Sequence, residues 1–430
     1  MSSIENLIGK DIDKKRLLVI SNNVLSTTKN NGKTVLSYID VLPKNNVRQL
    51  YFSAEHPEVP GYEYFCISDK NVIKGILNPL ARGKRCLVRN GGKIERTQSL
   101  KATVGKNALT RAIREILWMN GWKSRQLINW LDEFKPMAVF FVAGDSIFAY
   151  SIYRFVLTRY DAIGSLYITD DYIMPRKDNS FLDEFLRRKI IKNIDESLKM
   201  TKNFYTISTP MKIAYSDLFE RDSKLIVNMT EPLKTIRTIN KSKHLTLVYA
   251  GSLYYGRDKI LSRLAEEINI YNGKSKTLKA FLKIYTNAKM SDDTKKKLEI
   301  DGSCGCFGSL NKEELRIELN NADILVFVES FDLDQIEKTR FSLSTKVPEY
   351  LSLEKPILAI GPRGIGSIEY LDGVSMLVDR DDLIYKGIAE LLDSQEIRDT
   401  LAKEAYKKYE KNHIKGIIQT EFICDVFNIK

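Results

Sequence analysis

The sequence is poor in the residues that build metal sites and disulfide frameworks. Only five cysteines and three histidines occur in 430 residues, and the histidines (His56, His244 and His413) are far apart in the chain. The pair Cys304-Gly305-Cys306 lacks the second cysteine pair that a structural zinc site uses. An odd number of scattered cysteines predicts reduced thiols, which is typical of a cytoplasmic protein. We therefore expect no metal, no cofactor and no disulfide.

Long apolar runs and low-complexity tracts are also missing. No stretch approaches the roughly 20 apolar residues that span a membrane, and the polar stretch Met1 to Asp13 is no signal peptide. Glycine and proline are not enriched, and no repeat of fixed period occurs. These absences predict a soluble globular protein, and the length of the chain favours two domains of about 200 residues each.

The second half of the chain alternates apolar runs with helical patterns. Strands are predicted near Leu245 to Ala250, Ala280 to Tyr285, Cys304 to Phe307, Ile324 to Val328, Pro356 to Ile360 and Ser375 to Val378. Such alternation predicts an α/β fold with a parallel, doubly wound sheet. We expect an N-terminal domain at 1–230, a linker at 231–243, a C-terminal domain at 244–394 and further helices at 395–430.

Positive charge is concentrated in one segment. Twelve basic residues lie between Arg82 and Arg125, opposed only by Glu95 and Glu115, so the rest of the chain is close to neutral. Members of this patch are Arg82, Lys84, Arg85, Arg89, Arg111 and Arg114, with Trp118 and Trp122 beside them. The combination predicts a surface lying on an anionic membrane, and nucleic acid is the other polyanion it would fit. The alternative is that the tryptophans are core residues and the charges are merely solvated.

A glycine follows the first predicted strand, Arg16 to Ser21. Gly32-Lys33-Thr34 opens a helix there, but the glycine that a P-loop requires five positions earlier is Thr27. The P-loop interpretation is therefore rejected. We expect Gly32 to let a ligand approach the backbone closely.

The stretch from Ser344 to Ala359 is predicted to be a short helix followed by a buried strand. Ser344 or Thr345 would cap the helix, and Pro348 is tolerated in its first turn. Lys346 and Glu349 would lie beside free backbone N–H groups, which suits a diphosphate and the hydroxyls of a ribose. An ordinary helix–strand unit is the alternative.

The residues of this stretch also carry a resemblance. The pattern Ser344-Thr345-Lys346-x-x-Glu349, followed by Tyr-Leu-x-x-x-Lys-Pro-Ile-Leu-Ala, resembles the donor-site signature of family 4-like glycosyltransferases with the GT-B fold. The resemblance implies that Glu349 binds the ribose of a nucleotide sugar. The family often has a sugar-binding glutamate eight positions earlier, where this chain has Phe341.

Further motifs match the same family in order and spacing. Gly251-Ser252, followed by Arg257, resembles the loop whose cations grip the diphosphate, and Phe307-Gly308-Ser309 resembles the loop that binds the base. The resemblance implies that Arg257 and Lys346 stabilise the leaving group. Asp170 and Asp171, at the end of a predicted strand, resemble the acids that line the inter-domain cleft and orient the acceptor hydroxyl. The expected donor-binding set is Gly251, Ser252, Gly308, Ser309, Ser344, Thr345 and Glu349.

The resemblance implies two Rossmann-like domains facing each other across a cleft, with the C-terminal helices crossing back to the N-terminal domain. It implies transfer of a sugar from a UDP- or GDP-linked donor, with retention and without a metal, by a cytoplasmic enzyme. With the basic patch, the expected acceptor is a membrane-linked glycan or cell-surface polysaccharide precursor, and the expected position is the inner face of the membrane. The alternatives are a nucleotide-sugar epimerase of the same fold, a glycosyltransferase that modifies proteins and a nucleic-acid-binding protein.

Overall fold

The structure, a computed structural model, describes residues 12–28, 30–86, 88, 108–175, 180–231 and 244–429. Their contacts divide them into two compact units. The first contains the described residues of Met1–Ile207, Lys212–Ile226 and Lys415–Lys430, and the second those of Ser208–Met211 and Val227–Ile414. All of the expected linker except Glu231 lies outside the described residues.

The first unit is built on an eight-stranded sheet. Its strands are β1 (Leu17–Ser21), β2 (Val47–Tyr51), β3 (Glu63–Cys66), β4 (Lys84–Cys86), β5 (Ala138–Ala143), β6 (Ile163–Ile168), β7 (Asn203–Thr206) and β8 (Lys224–Leu225). They lie in the order β4-β3-β2-β1-β5-β6-β7-β8, and all neighbours are parallel except β3 and β4. Every residue of β1 and β5 is buried, as expected for strands of a parallel sheet covered on both faces.

The helices that precede the second sheet are α1 (Asn30–Ile39), α2 (Asp69–Leu77), α3 (Ala108–Gly121), α4 (Arg125–Phe134), α5 (Ile147–Tyr160), α6 (Phe181–Leu198) and α7 (Thr209–Phe219). A 3-10 turn at Pro79–Ala81 follows α2.

The second unit is built on a six-stranded, fully parallel sheet. Its strands are β9 (His244–Ala250), β10 (Lys279–Tyr285), β11 (Cys304–Cys306), β12 (Ile324–Val328), β13 (Ile357–Ile360) and β14 (Met376–Val378), in the order β11-β10-β9-β12-β13-β14. The prediction of a doubly wound sheet is confirmed, with strands at each predicted place. The strand order reverses between β9 and β12.

The helices of this half are α8 (Arg257–Lys274), α9 (Asp292–Leu298), α10 (Lys312–Asn321), α11 (Leu333–Thr339), α12 (Val347–Leu351), α13 (Gly366–Leu371), α14 (Ile384–Asp393), α15 (Gln395–Asn412) and α16 (Lys415–Phe427). All of them except α16 belong to the second unit, and these cover both faces of its sheet. Leu247 of β9 belongs to one buried cluster and its neighbour Val248 to another, because successive side chains of a strand point to opposite faces.

The two long C-terminal helices divide between the units. Helix α15 remains with the second unit, whereas α16 is grouped with the first. Phe422 of α16 packs against Phe140 of β5 and Tyr38 of α1, each with ring centroids 4.9 Å apart. Lys415 pairs with Asp40 at 2.7 Å. No helix among the described residues combines the length and the apolar character needed to cross a bilayer.

Candidate active site

The reversal of strand order in the second unit brings two loops together. Gly251 directly follows β9, and Glu329 directly follows β12. Ligands of doubly wound sheets bind outside the carboxyl ends of the strands at such a point, because the loops diverge there and leave a crevice. The candidate site is therefore built outward from these two residues.

A buried ion pair occupies this position. Arg257 begins α8 after Gly256, whose φ of 73° is a left-handed conformation that favours glycine. The Nη2 of Arg257 donates to both carboxylate oxygens of Glu329 at 2.9 Å, and its Nη1 donates to Ser252 Oγ at 3.3 Å. Glu329 is only 3% exposed. The predicted leaving-group cation is thus held in place by a carboxylate that the sequence analysis did not identify.

Lys346, the residue before α12, places its side chain beside Gly251. Its ammonium lies so close to Gly251 that a Cβ atom at that position would overlap it. The ammonium also lies 5.8 Å from the ring centroid of Tyr249, within reach of a cation–π interaction. The structure therefore brings Gly251, Ser252, Arg257 and Lys346 together, and any larger residue at Gly251 would displace the lysine.

Burial and the neighbouring charges together shift the pKa values of Lys346, Glu329 and Arg257. Burial, with the neighbouring Arg257 charge, lowers the pKa of Lys346 to about 8. Burial raises the pKa of the Glu329 carboxyl, and the Arg257 charge partly opposes this. Burial also works to lower the pKa of Arg257, but Glu329 outweighs it and keeps the guanidinium charged. Two cations next to one buried carboxylate favour an anionic ligand.

The start of α12 differs from the prediction. The helix begins at Val347 with Lys346 at the N-cap position, and no side chain caps it. The Ser344 hydroxyl accepts a long hydrogen bond of 3.4 Å from the Lys346 N–H, while the Ser344 N–H donates to Ser367 Oγ at 2.9 Å. The prediction that Ser344 or Thr345 caps the helix was wrong, because the chain makes a turn there that Ser367 fixes. Thr345 is exposed, and Glu349 is half-buried near Lys346, where its charge partly opposes the lowering of the lysine pKa.

The predicted base loop lies at the same edge of the sheet. The Gly251 N–H donates to Tyr285 O at 2.9 Å, and the Thr286 N–H donates to Gly308 O at 2.7 Å. Gly308 has a φ of +74°, and Phe307 beside it is half-exposed. A chain of backbone hydrogen bonds therefore links this loop to the cation site through the end of β10. Ser309 is exposed next to it.

Phe341 occupies the position at which the family pattern has its first glutamate. It is buried, and the Arg340 guanidinium lies 4.6 Å from its ring centroid. An apolar side chain cannot hydrogen-bond a sugar hydroxyl, so Phe341 does not replace the glutamate.

Comparison of the sequence with protein-family profiles and with curated proteins gives no match. Solved structures do match. A trehalose-phosphate synthase (UDP-forming) from Burkholderia vietnamiensis shares 11% identity, with 96% of this chain and 100% of that chain covered and a TM-score of 0.59. The lipopolysaccharide outer core galactosyltransferase WaaB shares 10% identity over 96% and 99%, with a TM-score of 0.58. The E. coli trehalose-6-phosphate protein bound with UDP-2-fluoro glucose shares 11% over 97% and 100%, with a TM-score of 0.59.

The chain has the GT-B fold. At these identities the likeness establishes the fold, and it confirms the predicted fold class. The cluster around Gly251 belongs to the second, C-terminal unit, and Asp170 and Asp171 belong to the first, N-terminal unit.

The N-terminal unit of this GT-B chain contains a polar cavity of about 260 Å³ at the end of β6. Arg111, Asp145, Asp170, Asp171, Asp183 and Arg187 contribute the charges that line it. Asp170 accepts a hydrogen bond from the Asp171 N–H at 3.0 Å, and Asp171 accepts two, from Ile173 at 3.2 Å and Met174 at 3.0 Å. These bonds fix the turn after β6. Both acids therefore line a cavity and also shape their own loop.

Gly32 lies in the first turn of α1, so a helix does open here as predicted. Helix α1 already begins at Asn30, and Gly32 is buried. A Cβ atom at Gly32 would overlap the carbonyl oxygen of Val24, so the glycine allows α1 to pack on the loop that follows β1. Its visible role is close packing within the protein.

Helix α5 is capped by a residue that the sequence analysis assigned only to the basic segment. The Glu115 carboxylate accepts the N–H groups of Ile147 and Phe148, both at 3.0 Å. Ser146, the residue before the helix, makes no side-chain cap. Burial raises the pKa of Glu115 to about 7 despite both donors.

Three arginines of the basic patch form ion pairs in the structure. Arg85 pairs with Glu133 at 2.5 Å, Arg114 pairs with Asp69 at 2.8 Å, and Arg111 pairs with Asp183. Arg82 donates to the carbonyl groups of Gly75 and Lys123, and Lys84 is exposed. Arg89 lies outside the described residues.

The tryptophans of the patch are core residues, so their predicted place on a membrane surface was wrong. Trp118 and Trp122 are 1% and 2% exposed. Trp118 stacks on Phe148 at 3.8 Å, and its Nε1 donates to Asp69 at 2.7 Å. A large ring with a satisfied N–H is favourable inside a protein.

Among the described residues no three His, Cys, Asp or Glu side chains are grouped as a metal site would need.

Proposed function

We propose that the protein is a glycosyltransferase that moves a sugar from a UDP- or GDP-linked donor to a hydroxyl of a membrane-linked glycan or cell-surface polysaccharide precursor. The observation that carries the proposal is the pair of cations, Arg257 and Lys346, gathered beside Gly251 at the strand-order reversal of a GT-B C-terminal unit. Two structural neighbours add support: one is bound with UDP-2-fluoro glucose, and the other is a lipopolysaccharide galactosyltransferase.

The proposed reaction breaks the bond between the anomeric carbon and the diphosphate oxygen. The leaving diphosphate gains negative charge, which Arg257 and Lys346 stabilise without a metal ion. The acceptor oxygen bonds to the anomeric carbon, and its proton passes to the departing phosphate oxygen, so the configuration is retained. Glu349 accepts hydrogen bonds from the ribose hydroxyls, and the loop at Gly308 and Ser309 approaches the base.

The polar cavity of the N-terminal unit is the proposed acceptor site. Asp170 and Asp171 line it, and their carboxylate oxygens can accept hydrogen bonds from sugar hydroxyls. Its two arginines already form pairs, Arg111 with Asp183 and Arg187 with Glu184, so the cavity suits an uncharged sugar better than a phosphate. Nucleic acid is disfavoured, because the buried tryptophans offer no surface for base stacking.

The proposal is tested by a thermal-shift panel with UDP, GDP, CMP, ADP and dTDP on the wild type and on Glu349→Ala. We expect one nucleotide to stabilise the wild type, and we expect Glu349→Ala to weaken its binding by roughly 1–3 kcal/mol, the usual loss for a charged hydrogen-bond partner. Glu390→Ala, which removes an exposed carboxylate of α14 in the same unit, should retain the wild-type shift. If no nucleotide stabilises the wild type, the donor site is wrong.

The pKa of Lys346 predicts how nucleotide binding depends on pH. The free ammonium has a pKa of about 8, and a bound diphosphate raises that pKa because it favours the charged form. Binding should therefore take up a proton, and affinity should fall by up to about tenfold per pH unit as pH rises above roughly 8. Isothermal titration calorimetry in buffers of different ionisation enthalpy measures the proton uptake.

Two variants separate this effect from general changes with pH. Lys346→Met should bind more weakly and lose the pH dependence. Lys259→Met, which alters an exposed lysine of the same unit that pairs with Asp332 at 2.7 Å, should keep it. A pH dependence that survives in Lys346→Met would show that another group takes up the proton.

A further inference from the structure

The first unit exposes a cluster of aliphatic side chains on two adjacent helices, α2 and α3, and on the turn that follows α2. Leu77 is 93% exposed, Leu80 is 69% exposed and Ile116 is 69% exposed. The cluster, here named the aliphatic face, consists of Ile73, Ile76, Leu77, Leu80, Leu109, Ile113, Ile116 and Met119. Single exposed aliphatic residues are ordinary, but a contiguous group of this size marks an interaction surface.

The two helices form one continuous surface. A cavity of about 110 Å³ lies between α2 and α3, and Ile73 from one helix and Ile113 from the other line it. On α2 and its turn, residues 73, 76, 77 and 80 recur at helical spacing, and on α3 residues 109, 113 and 116 do the same. Both stripes therefore meet at this groove.

Hydrogen bonds between α2 and α3 fix the two helices that form the groove. Asp69, the first residue of α2, accepts hydrogen bonds from the Arg114 guanidinium at 2.8 Å and from Trp118 Nε1 at 2.7 Å, both from α3. Trp118 lines the groove while its ring remains buried. The aliphatic residues are thus presented by a fixed pair of helices.

Exposed lysines accompany the aliphatic face. Lys70 and Lys74 lie on α2, and Lys123 follows α3. None of the three forms an ion pair with another residue of the described part of the chain. The acids that contact these helices are already engaged: Asp69 and Asp183 pair with Arg114 and Arg111 of α3, and the Glu115 carboxylate caps α5. The charge left unbalanced around the face is therefore positive.

We propose that the aliphatic face docks on an anionic lipid bilayer, with its side chains in the interface and the lysines at the headgroups. This inference rests on the proposed function, since a membrane-linked acceptor requires the enzyme to work at a bilayer. Aliphatic residues with lysines fit lipid better than a protein partner, whose interfaces are enriched in aromatic residues and arginine and depleted in lysine. A second copy of the chain would bring the same lysines against each other.

The test compares flotation with vesicles of phosphatidylcholine mixed with phosphatidylglycerol and with vesicles of phosphatidylcholine alone. The wild type should bind the mixed vesicles more tightly, and the double variant Leu77→Glu, Ile116→Glu should bind them at least about tenfold more weakly. The control variant Ile317→Glu, Leu333→Glu changes two exposed aliphatic residues of the second unit and should bind as the wild type does.

Other outcomes would overturn the inference. They are a wild type that ignores the mixed vesicles, a double variant that binds them equally well, and a wild-type dimer that the double variant converts to a monomer. The nucleotide-induced thermal shift of the same preparations, measured without vesicles, distinguishes this failure from that of the proposed function. A retained shift with lost vesicle binding would discard only the docking surface.

Discussion

Replacing Arg257 with glutamine should lower turnover by about 10²- to 10³-fold, the usual effect of losing a group that stabilises transition-state charge. Arg257 is the cation best fixed at the site, because its guanidinium bonds both Glu329 and Ser252. The measurement is the rate of nucleotide release from the donor sugar identified by the thermal-shift panel. Lys259→Gln, on the same helix but exposed, should turn over at the wild-type rate.

The ion pair requires a second variant to make this result interpretable. Arg257→Gln alone leaves Glu329 buried without a countercharge, which is itself destabilising. The double variant Arg257→Gln, Glu329→Gln removes both charges and should recover thermal stability without recovering turnover. If turnover returned with stability, Arg257 would serve the fold alone.

Replacing Glu329 with glutamine should destabilise the free protein and strengthen nucleotide binding. The glutamine still accepts a hydrogen bond, but Arg257 and Lys346 are left without their buried countercharge. We expect a loss of about 3 kcal/mol, the lower end of the range for breaking a buried pair. A bound diphosphate supplies the missing negative charge, so the nucleotide should stabilise this variant more than it stabilises the wild type.

Titrating the nucleotide against unfolding temperature measures both effects. Glu267→Gln provides a matched control, because it removes another buried glutamate of the second unit that pairs with an arginine, Arg263 of the same helix α8. That variant should lose stability without a larger nucleotide shift. An equal or smaller nucleotide shift in Glu329→Gln would show that the carboxylate helps the ligand to bind.

The repeating pattern of the second half was readable from sequence because its strands are continuous apolar runs with helices between them. The site residues at strand ends, such as Gly251, could be placed for the same reason. Glu329 was missed because its partner Arg257 is distant in the chain. An ion pair between residues that follow two different strands leaves no pattern in the local sequence. The available signal was a lone acid directly after the apolar run of β12, the same signal that singled out Asp170 and Asp171.

The wrong predictions concern positions where the local sequence allows two structures and distant residues decide between them. Helix α3 carries both an aliphatic stripe and Trp118, and periodicity alone does not decide which face is buried. Packing decides which face is buried. Trp118 stacks on Phe148 and donates a hydrogen bond to Asp69, and Ile113 and Ile116 are therefore exposed to solvent. The cap of α12 was likewise misplaced because Ser367, far along the chain, holds Ser344.

Helix α16 has a consequence for the order in which the protein can fold during translation. Its Phe422 is buried against β5 and α1 of the first unit, yet in sequence it follows the whole of the second unit. The ribosome therefore delivers every strand of the second sheet before the residue that completes the first core. Domains usually finish folding from the N-terminus onward during synthesis. Here the core of the first unit can be completed only after the second unit has been made.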